Sequence, residues 1–362
     1  MKLLFLISGL QTPASRFRVL QYIPHLEALG HECVIAPSRP PKYQGFPLIG
    51  TRASEWPRRL FRLWDALRAW PVDYDVVFLE RELFSTDFVL LERLFRRIAR
   101  KLILDVDDAI FLLHPRKFDA LVDMSDAVIA GNRLLAERIR PRNPNTVIIP
   151  TVVDLERYPQ RNKSPGSGDR PVIGWTGLAS NIPFLEIVQD ALRELATRHD
   201  FELRIIAESD APLRRLNLQG VPVRFVRWSA EKEIDDLQRF DIGIMPLPDD
   251  EWSRHKCGLK LIQYLALGIP GVASPVGVNA EIVDHGRNGF LASSTAQWSE
   301  VLESLLTRPD QHRAIGAAGR ATVEERYSLQ AAFPLLLRTL EDVAAGRELA
   351  AGGQPSRGQS NA

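Results

Sequence analysis

Short apolar runs alternate with amphipathic stretches along nearly the whole chain, a pattern that predicts parallel β-sheets covered by helices. Residues 3–8, 33–36, 76–79, 102–104, 128–130 and 147–149 read as buried strands, and residues 18–29 as a helix stopped by Gly30. A second set of strands follows at 172–175, 203–207, 223–226, 242–245 and 271–273, with long helices over 296–343. Between the sets, residues 160–170 are rich in Ser, Gly, Asn and charge, which marks an interdomain linker. The predicted domains are 1–158 and 159–327, with the helix near 328–343 packing back on the first domain. Residues 345–362 lack periodicity and predict a disordered tail. The fold class expected is α/β, with two doubly wound domains facing each other across a cleft at the carboxyl ends of their strands.

Within this pattern residues 255–281, HKCGLKLIQYLALGIPGVASPVGVNAE, carry the most information. Leu261, Ile262, Leu265 and Ala266 recur at helical spacing, and Gly268 with Pro270 ends the helix. If the helix starts near Gly258, then Lys256, Lys260 and Gln263 share one polar stripe. Unpaired N–H groups at that start, with ammonium groups nearby, form a candidate anion site. An ordinary amphipathic helix with solvated lysines fits the same spacing.

Composition narrows the function. A net charge of +1 over 362 residues argues against a general nucleic-acid binder. Cys33 and Cys257 are too few and too far apart for a disulfide framework or a cysteine metal site, so a reducing, cytoplasmic setting is expected. No apolar stretch reaches the roughly 20 residues needed to span a bilayer. The apolar start reads as a first strand ending at Gly9 rather than as a signal peptide.

Asp105-Val106-Asp107-Asp108 closes an apolar run, which places its carboxylates at a strand's carboxyl end. Asp107 and Asp108 are the catalytic candidates, able to position hydroxyl groups or take a proton, while Asp105 and, after the Gly9 turn, Arg16 and Arg18 are candidates for holding a substrate. One acid capping a helix and another paired with an arginine is the structural alternative. The same letters match a phosphatase DxDx(T/V) pattern, although Ala109 breaks it. Trp56, Phe61, Trp64 and Trp70 interleave with Arg52, Arg58, Arg59, Arg62 and Arg68, and Arg93, Arg96, Arg97, Arg100 and Lys101 form a second basic stretch. Such segments suit an anionic membrane surface, or else a solvated helix with buried tryptophans.

The segments IPTVVDLERYP and KLIQYLALGIPGVASPVGVNAEIVDHGRNGFLA resemble the interdomain and donor-loop motifs of family 4 glycosyltransferases, retaining enzymes with two Rossmann-like domains in the GT-B fold. The resemblance implies transfer of a sugar, of hexosyl type, from a nucleotide-diphosphate sugar to a saccharide or lipid-linked acceptor in polysaccharide or glycolipid synthesis. It implies no cofactor beyond the nucleotide-sugar, no metal, and a cytoplasmic enzyme peripheral to the membrane's inner face. By the same resemblance Gly177, Lys256, Gly258, Lys260, Gln263, Gly277, Asn279 and Glu281 bind the donor, and Gly9, Arg16, Arg18 and Asp105 lie on the acceptor side, where Asp107 and Asp108 would position the acceptor hydroxyl. His255 and Gln263 stand where the family's E-x7-E motif has glutamates, and Gly177 and Asn181 lie near its usual Arg and Lys. These departures leave open a non-catalytic GT-B protein that binds a nucleotide or a protein partner. His114 is the histidine nearest the acidic loop.

Overall fold

A computed structural model, describing residues 1–42, 46, 50–161 and 170–349, shows two compact α/β units. The first comprises Met1–Val152, His255–Cys257 and the segment from Leu329; the second comprises Val153–Arg254 and Gly258–Ser328. Most of the expected linker and the tail from residue 350 onward lie outside the described residues.

The first unit holds β1 (Lys2–Ile7), β2 (Glu32–Pro37), β3 (Val76–Glu80), β4 (Lys101–Val106), β5 (Ala127–Ala130) and β6 (Thr146–Ile148). All pair in parallel, in the order β2-β1-β3-β4-β5-β6. Helices cover both faces, which is why the central strands read as unbroken apolar runs. Leu3, Phe5 and Ile7 form one face of the core with Tyr22 and Leu26, and with Leu336 and Leu340 of the helix Leu329–Ala344. The single helix predicted over 18–29 is instead three pieces: Pro13–Arg18, a 3-10 turn Leu20–Tyr22, and Ile23–Ala28. Pro24 accounts for the break, since it has no N–H to donate and is accommodated only in the first turn of a helix.

The second unit holds β7 (Val172–Thr176), β8 (Glu202–Ala207), β9 (Val223–Arg227), β10 (Ile242–Met245), β11 (Gly271–Ala273) and β12 (Phe290–Leu291). Their order is β12-β11-β10-β7-β8-β9, again parallel. β12, a two-residue edge strand, was not expected from the sequence. Trp175 and Trp298 are fully buried in the core. Strand order reverses between β1 and β3 in the first unit and between β7 and β10 in the second. In open α/β sheets these switch points are where loops diverge and ligands are held.

Candidate functional site

At the first unit's switch point, Glu80 closes β3 and stands in register with Asp105 on β4. Both carboxylates are 1% exposed, and the short helix Pro13–Arg18 supplies a partner to each. Ser15 Oγ donates to Glu80 Oε2 at 2.5 Å, and the Ser8 N–H donates to the same oxygen at 3.2 Å. Arg18 makes a two-pronged bond to Asp105, with Nε at 3.0 Å and Nη2 at 2.5 Å, and its Nη1 donates to the Ile149 carbonyl at 2.7 Å. Burial works against both charges of this pair, but for Arg18 the contact with Asp105 outweighs it and the guanidinium stays charged. Arg18 and Asp105, expected to face an acceptor, are therefore occupied with each other inside the unit. Because the aspartate is locked in a buried ion pair, it is also unavailable as the nucleophile of a phosphatase motif.

Asp107 and Asp108 remain partly accessible. Arg81 binds Asp107 through Nε and lies 3.8 Å from Asp108. Burial alone would raise the Asp107 pKa, but Arg81 and Arg18 outweigh it and hold the carboxylate below its usual range. Arg81 has φ 56°, a left-handed conformation uncommon for a side chain with a Cβ. Observed strain of this kind at a strand's carboxyl end is itself a marker of a functional position. The sequence reading missed both Glu80 and Arg81. Gly9 sits in the same network: its N–H donates to Ser15 Oγ at 3.3 Å, and a Cβ there would lie 3.0 Å from Pro41 Cβ. Arg16 is half-buried with its guanidinium 5.1 Å from the Phe17 ring centre. His114 pairs with Asp87 at 3.2 Å rather than joining the acidic cluster.

Glu80 has a direct consequence for stability. Burial, with Oε1 left without a hydrogen-bond partner among the described residues, raises its pKa from 4.5 to about 7. The folded state thus holds this proton more tightly than the unfolded chain does. Its stabilising contribution is complete below pH 4.5 and is lost as pH rises to about 7. Glu80→Gln is expected to flatten the pH dependence of the urea midpoint in that window. An unchanged slope would exclude Glu80 as its source.

His255–Cys257 clusters with the first unit. Asn132 caps the helix Arg133–Ile139, its side-chain oxygen accepting from the Leu135 N–H at 2.9 Å. The same side chain donates to the His255 carbonyl at 2.8 Å, while Cys257 Sγ reaches the Asp107 carbonyl at 3.2 Å. The His255 ring packs edge-on against Phe111. Lys256 is therefore not on the helical stripe predicted for it.

The reason lies at Gly258, whose φ of 70° ends the preceding segment and starts the helix Leu259–Ala266. No side chain caps this helix start, so its first N–H groups are oriented to accept an anion. Lys260, in the first turn, passes over Gly177 at the end of β7. A Cβ on Gly177 would lie 2.5 Å from Lys260 Cε, and the Lys260 ammonium sits 5.1 Å from the Trp175 ring centre. The second unit's switch point thus brings Gly177, Gly258 and Lys260 together. Asn279, fully buried, donates to the Ser274 carbonyl at 3.2 Å, and its Oδ1 has no partner among the described residues. Gly277 has φ 54° and packs against the Arg254 carbonyl. Glu281 is half-buried and its carbonyl accepts from Arg326 at 3.4 Å. Gln263, expected on the polar stripe, is only 3% exposed and donates to the Tyr158 hydroxyl at 2.8 Å.

Comparison with known proteins follows the same division. A protein-family model described as "Glycosyl transferases group 1" matches residues 170–308, most of the second unit. A GDP-mannose-dependent monoacylated alpha-(1-6)-phosphatidylinositol monomannoside mannosyltransferase of Corynebacterium glutamicum is 28% identical over 204 residues, covering 51% of this chain and 53% of that protein. The chain spans about half the length of this relative or less of the others it matches. Among solved structures, Anabaena Alr3699/HepE in complex with UDP and glucose aligns with a TM-score of 0.69 at 17% identity, covering 94% of this chain and 99% of the other. Sucrose-phosphate synthase from Thermosynechococcus elongatus aligns at 0.73 and 16%, covering 95% and 100%. With its two six-stranded parallel sheets, the chain has the α/β two-domain fold of GT-B glycosyltransferase structures. The family match falls on the second unit, while the likeness to these solved structures runs over both.

Proposed function

We propose that the chain is a retaining glycosyltransferase of hexosyl type. It would move a sugar from a nucleotide-diphosphate sugar to a saccharide or lipid-linked acceptor, in cell-surface polysaccharide or glycolipid synthesis. The observation that carries this reading is Lys260 laid across Gly177 beside the uncapped helix start at Gly258. A departing nucleoside diphosphate develops negative charge, and a fixed ammonium beside the positive end of a helix stabilises it where it forms. Lys256 is assigned as a second cation for the diphosphate, and Gly277, Asn279 and Glu281 as the loop that shapes the site. With the charge supplied by these groups, the reading needs no cofactor beyond the nucleotide-sugar. Asp107, held ionised by Arg81, and Asp108 orient the acceptor hydroxyl, supported from below by the Arg18–Asp105 pair. Retention and the kinship with family 4 rest on the donor-loop motifs.

The relative's name supports GDP-mannose and a phosphatidylinositol mannoside, and a neighbour's title supports UDP-glucose. A cytoplasmic location belongs to the same proposal; no helix among the described residues is long and apolar enough to cross a membrane. One observation favours a non-catalytic binder instead: Gln263, at the second glutamate position of the motif, is buried against Tyr158. Calorimetry with GDP and UDP, combined with release of labelled sugar from GDP-mannose and UDP-glucose, separates the readings. Binding with sugar transfer is expected. Binding without turnover across lipid and saccharide acceptors would favour the binder, and no nucleotide affinity would remove both.

A further inference from the structure

The helix Glu55–Ala69 is turned inside out. Its buried face carries arginines: Arg58 and Arg62 are each 1% exposed. Arg62 donates to the Ala36 carbonyl at 2.7 Å and to the Ile7 carbonyl at 2.6 Å, at the ends of β2 and β1, while Arg58 reaches the carbonyls of Pro40 and Pro41. The apolar stripe points outward. Trp56, Leu60, Trp64, Leu67 and Trp70 recur every three or four residues and are between 58% and 70% exposed. This makes a continuous apolar ridge about 22 Å long. Three of the chain's seven tryptophans stand on it. Isolated exposed apolar residues need no explanation, but a contiguous ridge marks an interaction surface.

Charge around the ridge identifies the partner. The acids of this helix, Glu55 and Asp65, are bound to Arg58 and Arg62. On the helix Leu90–Ile98, which packs alongside, the one acid is Glu92, buried against Lys117 at 2.6 Å. Arg68, Arg93 and Arg97 are exposed. The outer face therefore combines tryptophan and leucine with exposed positive charge. Indole rings favour the headgroup level of a bilayer, and arginines favour its phosphates.

We infer that the ridge on Glu55–Ala69, flanked by Arg68, Arg93 and Arg97, docks the first unit on an anionic lipid bilayer, lying in the interface plane without spanning it. The ridge belongs to the first unit, and Lys260 and Gly177 to the second, so loss of either property is expected to leave the other intact. Flotation of the full chain with phosphatidylcholine vesicles, with and without phosphatidylglycerol, tests this. Binding is expected to the anionic vesicles, with a blue shift of tryptophan emission and weakening by salt. The exposed-position variant Leu60→Ser/Trp64→Ser/Leu67→Ser should lose at least about tenfold in partitioning. Arg93→Glu/Arg97→Glu should lose about fivefold or more per charge on anionic vesicles. Circular dichroism and nucleotide affinity report whether these variants remain folded. Absence of flotation with either vesicle, or equal flotation of the folded triple variant, overturns the inference. So does a triple variant that turns a dimer into a monomer without changing flotation, because the ridge would then bind a second copy of the chain.

Discussion

Lys260→Ala is expected to lower sugar-nucleotide turnover by about a hundred- to a thousandfold while the fold persists, the usual size of effect when a preorganised charge is removed from a developing anion. The ammonium is half-buried and rests over the Trp175 ring, so its removal costs little packing. Far-UV circular dichroism and the urea midpoint should stay close to those of the unaltered chain, while kcat and affinity for the nucleoside diphosphate both fall. Lys260→Arg should recover only part of the activity. The guanidinium keeps the charge, but the space over Gly177 is fitted to a slender chain and an ammonium, and the two cations are not equivalent. Turnover equal to that of the unaltered chain in the alanine variant would remove Lys260 from the phosphate role.

Arg18→Met should destabilise the first unit by about 3–5 kcal/mol, because it leaves Asp105 buried and unpaired. The loss is larger than the worth of the ion pair itself. Most of it is the cost of holding a lone carboxylate out of water, and the double variant Arg18→Met/Asp105→Leu should regain much of the stability for that reason. Urea unfolding of the three proteins measures the difference. A single variant as stable as the parent would show that water reaches Asp105 and that the pair does not tie the helix Pro13–Arg18 to the carboxyl end of β4.

Much of the architecture was legible because parallel strands buried on both faces leave a plain trace, as Val76–Glu80 and Ile242–Met245 do. β12 left none: two residues after a glycine carry no period. The second unit's candidate site was half legible. Gly177 and Lys260 each stood out, but their approach depends on β7 lying next to β10, which only the sheet order reveals. Gln263 was misplaced because its partner Tyr158 is distant in sequence, and helical spacing says nothing of such a partner. Glu80 and Arg81 escaped notice since charged letters after an apolar run read as solvated loop, whereas here the fold buries the first and strains the second. In Glu55–Ala69 the interleaving of tryptophan and arginine was visible, but which of them turns inward was not. Amphipathic spacing locates two faces, and ordinary reasoning turns the apolar one inward. Strand-end carbonyls that need donors turned this helix the other way.

The helix Leu329–Ala344 is made after both sheets, yet its leucines complete the core built on β1 and β3. A ribosome therefore releases the amino-terminal sheet with part of one face still uncovered, and the second unit, continuous apart from three residues, is finished before the first. Domains generally fold as their segments emerge, but here the order of completion runs against the order of synthesis. The first unit must wait for this helix with apolar surface in water, and that interval is when nascent-chain chaperones have most to protect.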